Sequence, residues 1–182
     1  MKTEKITESV EIPEKTEVRV EGSAVIVKGQ KGELTRNFRN PQVKIYVEGN
    51  RVIFESRKAT KREKTIIGSC IAHLKNMLRG ANEKHVYKLK ICSGHFPMNV
   101  SMAGDVFTIK NFIGEKVPRT LNLKKGADVK IQGNEVIVES SDKEIASQTA
   151  ADIEQLTRRT GYDRRIFQDG IYIFIKDGKE IT

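Results

Sequence analysis

The chain has 182 residues, with 33 Lys and Arg against 24 Asp and Glu, a net charge of +9 and a pI near 9.5. That balance favours a polyanionic partner, nucleic acid first and an acidic membrane surface second. Three readings exclude secreted, membrane-spanning and low-complexity classes and point to a reducing, cytoplasmic setting: no apolar run nears the ~20 residues of a membrane helix, the charge-alternating start is no signal peptide, and two cysteines cannot form a disulfide framework.

Along the chain, Val25–Lys28 and Val43–Glu48 alternate apolar and polar residues as half-buried strands do. Gly49-Asn50 supplies a tight hairpin turn that folds Val52–Ser56 back antiparallel. A helix is expected from Lys61 to Arg79, because Ile67, Ile71, Leu74 and Leu78 form one apolar stripe and Gly80 stands where a helix would stop. The same order then recurs. Phe107–Lys110 repeats Val25–Lys28. Val129-Lys130-Ile131, followed by Gly133-Asn134 and Glu135–Ser140, repeats the earlier hairpin. Thr60-x-x-Glu63 and Ser141-x-x-Glu144 each read as a capping box before an amphipathic run. The second helix is expected from Asp142 to Arg159, with Ile145, Thr149, Ile153 and Leu156 on its apolar side and Gly161 as its terminator. The expectation is an α+β protein made of two tandem copies of one unit, each an antiparallel sheet with one helix packed on a face. The first would run over 1–81, including an N-terminal extension, and the second over 82–182 with a basic tail.

Catalytic and metal chemistry find little support. Cys70-x-x-His73 and Cys92-x-x-His95 lack the C-x-x-C spacing of zinc ribbons and fingers, and Cys70 lies beside the apolar helical stripe. No phosphate-binding glycine loop is present, and the histidines have no nucleophile at motif spacing. No metal, cofactor or enzymatic activity is expected. Gly29-Gln30-Lys31-Gly32 has the outline of a backbone-clamping loop, but it lies between strand-like runs and reads as a hairpin.

Basic density does concentrate. Residues 1–80 hold 17 basic and 10 acidic residues, and residues 81–182 hold 16 and 14. Between Thr157 and Arg165, four arginines surround a glycine and a tyrosine. Arginine forks suit phosphate oxygens, and a tyrosine face suits a base. A helix C-terminus would explain Arg158 and Arg159 through its dipole, but not Arg164 and Arg165. The candidate RNA-binding residues are therefore Arg158, Arg159, Gly161, Tyr162, Arg164, Arg165 and Lys176. A secondary set comprises Lys28, Lys31, Arg57, Lys58, Lys61, Arg62 and Lys64.

The tail continues Arg165-Ile166-Phe167-Gln168-Asp169-Gly170-Ile171-Tyr172. This string, with His95-Phe96-Pro97-Met98-Asn99-Val100 and Asn111-Phe112-Ile113-Gly114-Glu115-Lys116, resembles the archaeal and eukaryotic branch of the L-six family of large-subunit ribosomal proteins. The lysine- and glycine-rich ending of the bacterial branch is missing. The resemblance implies a duplicated α+β architecture and a structural, non-enzymatic role. It implies binding of large-subunit ribosomal RNA near the sarcin-ricin region, beside the docking place of translation factors and mainly through the second domain and tail. The tail residues carried over are Arg165, Phe167, Asp169, Gly170 and Tyr172. Phe167, Ile171 and Ile173 are read as packing residues and Asp169-Gly170 as a turn. Expected partners are that RNA, neighbouring ribosomal proteins and nearby translation factors, with no membrane and no DNA. The alternatives are a non-ribosomal RNA-binding or chaperone protein and, in a different class, a small hydrolase or zinc enzyme.

Overall fold

The structure is a computed structural model that describes residues 3–163 and 165–181, without the side chains at 3, 4 and 58. The chain divides into two compact units, Met1–Lys84 and His85–Thr182.

The first unit holds β1 (Thr3–Glu11), β2 (Glu17–Glu21), β3 (Ala24–Gly29), β4 (Gly32–Asn37), β5 (Lys44–Glu48), β6 (Arg51–Ala59) and α1 (Lys61–Asn82). The strands form two antiparallel three-stranded sheets, ordered β1-β6-β5 and β2-β3-β4. Alternation drives this. Val25 and Val27 on β3, and Val52 and Phe54 on β6, are fully buried and meet Ile67, Leu74 and Leu78 of α1 in one core. Thus the residues expected to form an N-terminal extension instead supply an edge strand, β1, which buries Val10.

The second unit repeats the plan with β7 (His85–Cys92), β8 (Asn99–Ala103), β9 (Val106–Lys110), a single 3₁₀ turn at Phe112–Gly114, β10 (Arg119–Asn122), β11 (Asp128–Gln132), β12 (Glu135–Ser140) and α2 (Lys143–Leu156). It then adds β13 (Gly170–Lys176) and β14 (Lys179–Glu180). Its sheets are β8-β9-β10 and β11-β12-β7-β13-β14, the latter carrying two strands with no counterpart in the first unit. The core gathers Leu89, Phe107, Ile109, Val136, Val138, Ile153 and Ile171.

The duplication extends to individual hydrogen bonds. Glu48 pairs with Arg51 and Gln132 with Glu135, leaving Gly49-Asn50 and Gly133-Asn134 as two-residue loops, and both glycines have φ of 58°. A positive φ at the first loop position is the hairpin geometry that glycine adopts without strain. Ile12 N–H donates to Asn50 O at 3.0 Å, and Ile91 N–H donates to Asn134 O at 2.8 Å. Phe38 N–H to Ser23 O and Leu123 N–H to Asp105 O, both 2.8 Å, are a second such pair.

Several boundaries differ from expectation. α1 runs through Gly80, which is buried, to Asn82. Its last turn gains a tertiary partner, since Lys31 N–H donates to Ala81 O at 2.8 Å. That contact explains Gly29: a Cβ there would stand 2.5 Å from Ala81 O. Gly29 and Gly32 are paired strand residues, so the G-x-x-G is a hairpin. The Thr60–Glu63 capping box is formed, whereas α2 is capped one residue later than expected, by Asp142 accepting from Glu144 N–H. α2 also stops at Leu156 instead of Arg159. Thr157 N–H and Arg158 N–H turn to Glu154 O and Gln155 O, tightening the end as terminal carbonyls commonly require. Gly161 therefore lies in the following loop, with φ of 83° and open space around it. At the end of the chain, β14 pairs with β13 around Asp177-Gly178. Among the described residues, no helix is long and apolar enough to cross a membrane.

Candidate nucleic-acid interface

Asp169 organises the surface around the tail. Its Oδ1 accepts the N–H groups of Gly94 at 2.7 Å and His95 at 3.0 Å, and its Oδ2 lies 2.6 Å from His95 Nδ1. Burial pushes this carboxyl up, but the His95 and Gly94 hydrogen bonds and the His95 charge outweigh it and hold it below the usual aspartate range. The residue read as part of a turn is thus a clamp, and Gly170 is the first residue of β13.

From that clamp an aromatic column rises. The His95 ring stacks on Phe167 with centroids 4.7 Å apart, and Tyr162 meets Phe167 edge-on at 5.0 Å. The Arg159 guanidinium lies 4.1 Å from the Tyr162 centroid and donates to Tyr162 Oη at 3.0 Å. Phe167 is only half-buried, whereas Ile171 is fully buried in the core and Ile173 partly so. Beside the column lies a cleft of about 810 Å³ whose walls include Thr157, Arg158, Tyr162, Asp169 and Tyr172.

The Asn111–Lys116 string reaches the same place. Asn111 donates to Pro97 O at 3.1 Å, and the Phe96 ring lies 3.8 Å from where a side chain on Gly114 would begin. Ile113, a β-branched residue with φ of 46°, lines the cleft. Left-handed geometry in such a residue costs on the order of 1–3 kcal/mol and is held only where its surroundings over-determine it. Glu115 forms a bidentate pair with Arg119, both contacts 2.7 Å, and Arg119 also donates to Leu156 O at 2.6 Å. Arg119 therefore closes the carbonyl end of α2 and fixes where the arginine-rich loop departs.

The basic residues divide by environment. Arg158 is exposed, and its guanidinium has no partner among the described residues. Arg159 is held between Tyr162 and Glu115, the latter at 3.8 Å. Arg165 is exposed but paired with Asp163 at 2.8 Å, which raises the arginine and lowers the aspartate from their ordinary values. Arg164 lies outside the described residues. Lys176 is exposed at the far end of β13, about 20 Å along the strand from Gly170, and is not brought to the cleft. In the first unit, Lys61, Arg62 and Lys64 are exposed on the opening turn of α1, Arg57 pairs with Glu55 at 3.3 Å, and Lys28 and Lys31 flank the β3–β4 hairpin. The Lys58 side chain lies outside the described ones. Phe96 and Lys116 on loops and Tyr172 on β13 are exposed as well. All three stood inside recognisable strings, but nothing in their spacing marked them.

Cys70 is buried, which pushes its thiol up, and Cys92 is half-buried. No group of three or more His, Cys, Asp or Glu among the described residues is placed to hold a metal ion.

A family model described as Ribosomal protein L6 matches residues 12–84 and again 96–170, once in each unit. The chain is 46% identical over 173 residues to a protein of Ignicoccus hospitalis named large ribosomal subunit protein uL6, covering 92% of this chain and 93% of the relative. It is 45% identical over 174 residues to the protein of the same name from Methanococcus vannielii, covering 96% of each. Two matches in tandem and full-length likeness to two archaeal proteins agree with the duplicated fold, and the chain belongs to the ribosomal protein L6 family.

Proposed function

We propose that this protein is a structural component of the large ribosomal subunit in the cytoplasm, and that its second unit binds large-subunit ribosomal RNA through the tail cleft. The RNA segment proposed is the sarcin-ricin region, next to where translation factors dock, with neighbouring ribosomal proteins as further partners. The observation that carries this reading is the Arg158 guanidinium, exposed and without a partner among the described residues, at a cleft lined by Tyr162 and Tyr172. A cation ready for phosphate beside aromatic faces ready for bases is the pairing that single-stranded or looped RNA requires. Arg159 acts through Tyr162, holding the ring, while Arg165 and Lys116 extend the basic surface. The exposed Lys61, Arg62 and Lys64 sit at the positive end of the α1 dipole, where cations are disfavoured without an anion nearby, and form a second contact surface. L6 is a family of structural proteins, and no catalytic step is assigned.

The test is a salt titration of binding to a large-subunit RNA fragment containing the sarcin-ricin loop. Arg158→Ala should weaken binding and reduce the slope of log affinity against log salt by about 0.7–0.9, one phosphate contact. Tyr162→Ala should weaken binding with the slope nearly unchanged. If neither variant differs from the parent, the cleft is not the RNA surface and the α1 opening turn becomes the place to look.

A further inference from the structure

The tail cleft is lined by both signs of charge, and only part of that charge is spent within the protein. Arg159 is committed to the Tyr162 ring and to Glu115, and both oxygens of Asp169 are taken by Gly94 and His95. Among the described residues, that leaves Arg158 and Glu154 as the charged lining groups with free atoms. Glu154 Oε1 accepts from Ile173 N–H at 3.1 Å, while Oε2 has no partner among the described residues. Gln155, next on the same wall, is exposed, and its side-chain amide has no partner among them either.

Seating β13 does not account for the Glu154 charge. The Ile173 amide needs one acceptor, and the amide oxygen of a glutamine would serve equally. The duplicated plan does not require a carboxylate either. The shift that lays Ile67, Cys70 and Leu74 of α1 on Ala146, Thr149 and Ile153 of α2 sets Lys75 on Glu154 and Leu78 on Thr157. The anion is therefore particular to the second unit, in the wall of the cleft.

A carboxylate repels phosphate, so an RNA backbone stays with Arg158 and the part that enters beside Glu154 is a base. The Tyr172 ring is placed to receive one. It lies back along β13 over Gly170, where a Cβ would stand 3.0 Å from the ring Cζ and Oη, and it remains exposed. An ionised carboxylate can only accept hydrogen bonds, which selects among bases. Guanine presents two adjacent donors, N1–H and the 2-amino group, beside one acceptor, O6. Adenine and cytosine place a ring-nitrogen acceptor next to their amino group, and uracil flanks its one N–H with two carbonyls, so each sets lone pairs against Glu154. The Gln155 amide can donate to O6. A lysine from a protein segment would also suit a carboxylate, but the exposed Arg158 guanidinium and the chain's net charge of +9 oppose a cationic segment.

Resting on the RNA reading of the cleft, we propose that it holds one unstacked guanine of a looped or single-stranded RNA, with Glu154 Oε2 accepting from N1–H and the 2-amino group, Tyr172 stacked on the base and Arg158 on the adjacent phosphate. Glu154 then sets base preference and Arg158 sets affinity, the usual division between base and phosphate contacts.

The test measures binding of the full chain to three short RNAs: UUGUU, UUAUU, and the same pentamer with inosine, which is guanine without its 2-amino group, at the centre. The guanine RNA should bind about tenfold more tightly than either of the others, as a hydrogen bond to a charged acceptor implies. Glu154→Gln keeps an acceptor for Ile173 and should abolish the preference, with slow exchange at the Ile173 amide showing that β13 is still seated. Arg158→Ala should weaken binding of all three alike and leave the preference intact. The proposal is overturned if none of the three RNAs binds, if the parent protein binds the guanine and inosine RNAs equally, a comparison that needs no variant, or if the preference survives Glu154→Gln with Ile173 protected. It is overturned too if a lysine-rich peptide occupies the cleft in place of the guanine RNA. Weakening by Arg158→Ala without any base preference would leave the RNA reading of the cleft standing and remove the guanine site alone.

Discussion

The two units share hairpin loops, sheet order and buried stripes, yet one edge of the shared plan is closed in the second unit and open in the first. A pair of side chains separates the two cases. Glu154 and Thr157 accept hydrogen bonds from β13, while Lys75 and Leu78 at the corresponding helix positions accept none. An additional strand must satisfy its outward amides as well as its ladder. Acceptors on the neighbouring helix thus decide which copy holds the tail. The tail in turn carries Asp169 and Phe167 to His95, so closing the edge of β7 also builds the candidate RNA surface. In the first unit that chemistry is absent, and its exposed basic residues lie at the start of α1.

The comparison can be broken or sharpened by substitution. The largest effect is expected at β9 and β3, where Phe107 and Val25 are matching, fully buried residues. Phe107→Ala should lower stability to denaturant by about 3–5 kcal/mol, and Val25→Ala by less because fewer buried atoms are removed. Equal losses would show that the two cores are not packed alike. Next, Asp169→Ala leaves the Gly94 and His95 amides without their charged acceptor and should cost about 1.5–3 kcal/mol. Because the folded carboxyl is held below its usual range, its contribution is present at neutral pH and is lost as pH falls below about 4. Asp169→Asn should remove that part of the acid-side loss, and an unchanged acid limb would show that the clamp does not depend on charge. Thr157→Leu gives α2 the residue of the first unit and leaves the Ile171 amide unpaired, at a cost of about 1–3 kcal/mol. Exchange at Ile171 and Ile173 should quicken, and unaltered exchange would mean that packing alone seats β13. The smallest effect separates the helix starts. Thr60→Ala and Asp142→Ala should each cost about 1 kcal/mol by loss of a cap, read as a shift in thermal unfolding. Thr60→Ala should cost more, because it dismantles a reciprocal box while Asp142 caps alone.

The sequence by itself determined the duplication, the Gly-Asn hairpins with their strands, the β3 and β9 runs, the cap of α1 and the family, because each rests on local backbone preferences or short-range alternation. It located the arginine-rich loop for the same reason. The edge strand β1 and the central strand β7 escaped it. β1 is rich in Glu and Lys and shows only Ile6 and Val10 on its inward side, too weak a pattern to read before β6 and α1 are in place. The helix ends escaped it as well, since the last turn of α1 is sustained by Lys31 and the end of α2 by Arg119, partners distant in sequence. Only the tertiary structure separated the arginines into an exposed Arg158 with no partner among the described residues, a ring-holding Arg159 and an aspartate-paired Arg165. Four neighbouring cations have the same chemistry along a sequence. What distinguishes them is which carboxylate, ring or solvent each meets, and that is fixed by contacts such as Asp169 to His95 and Glu115 to Arg159, which close over dozens of residues.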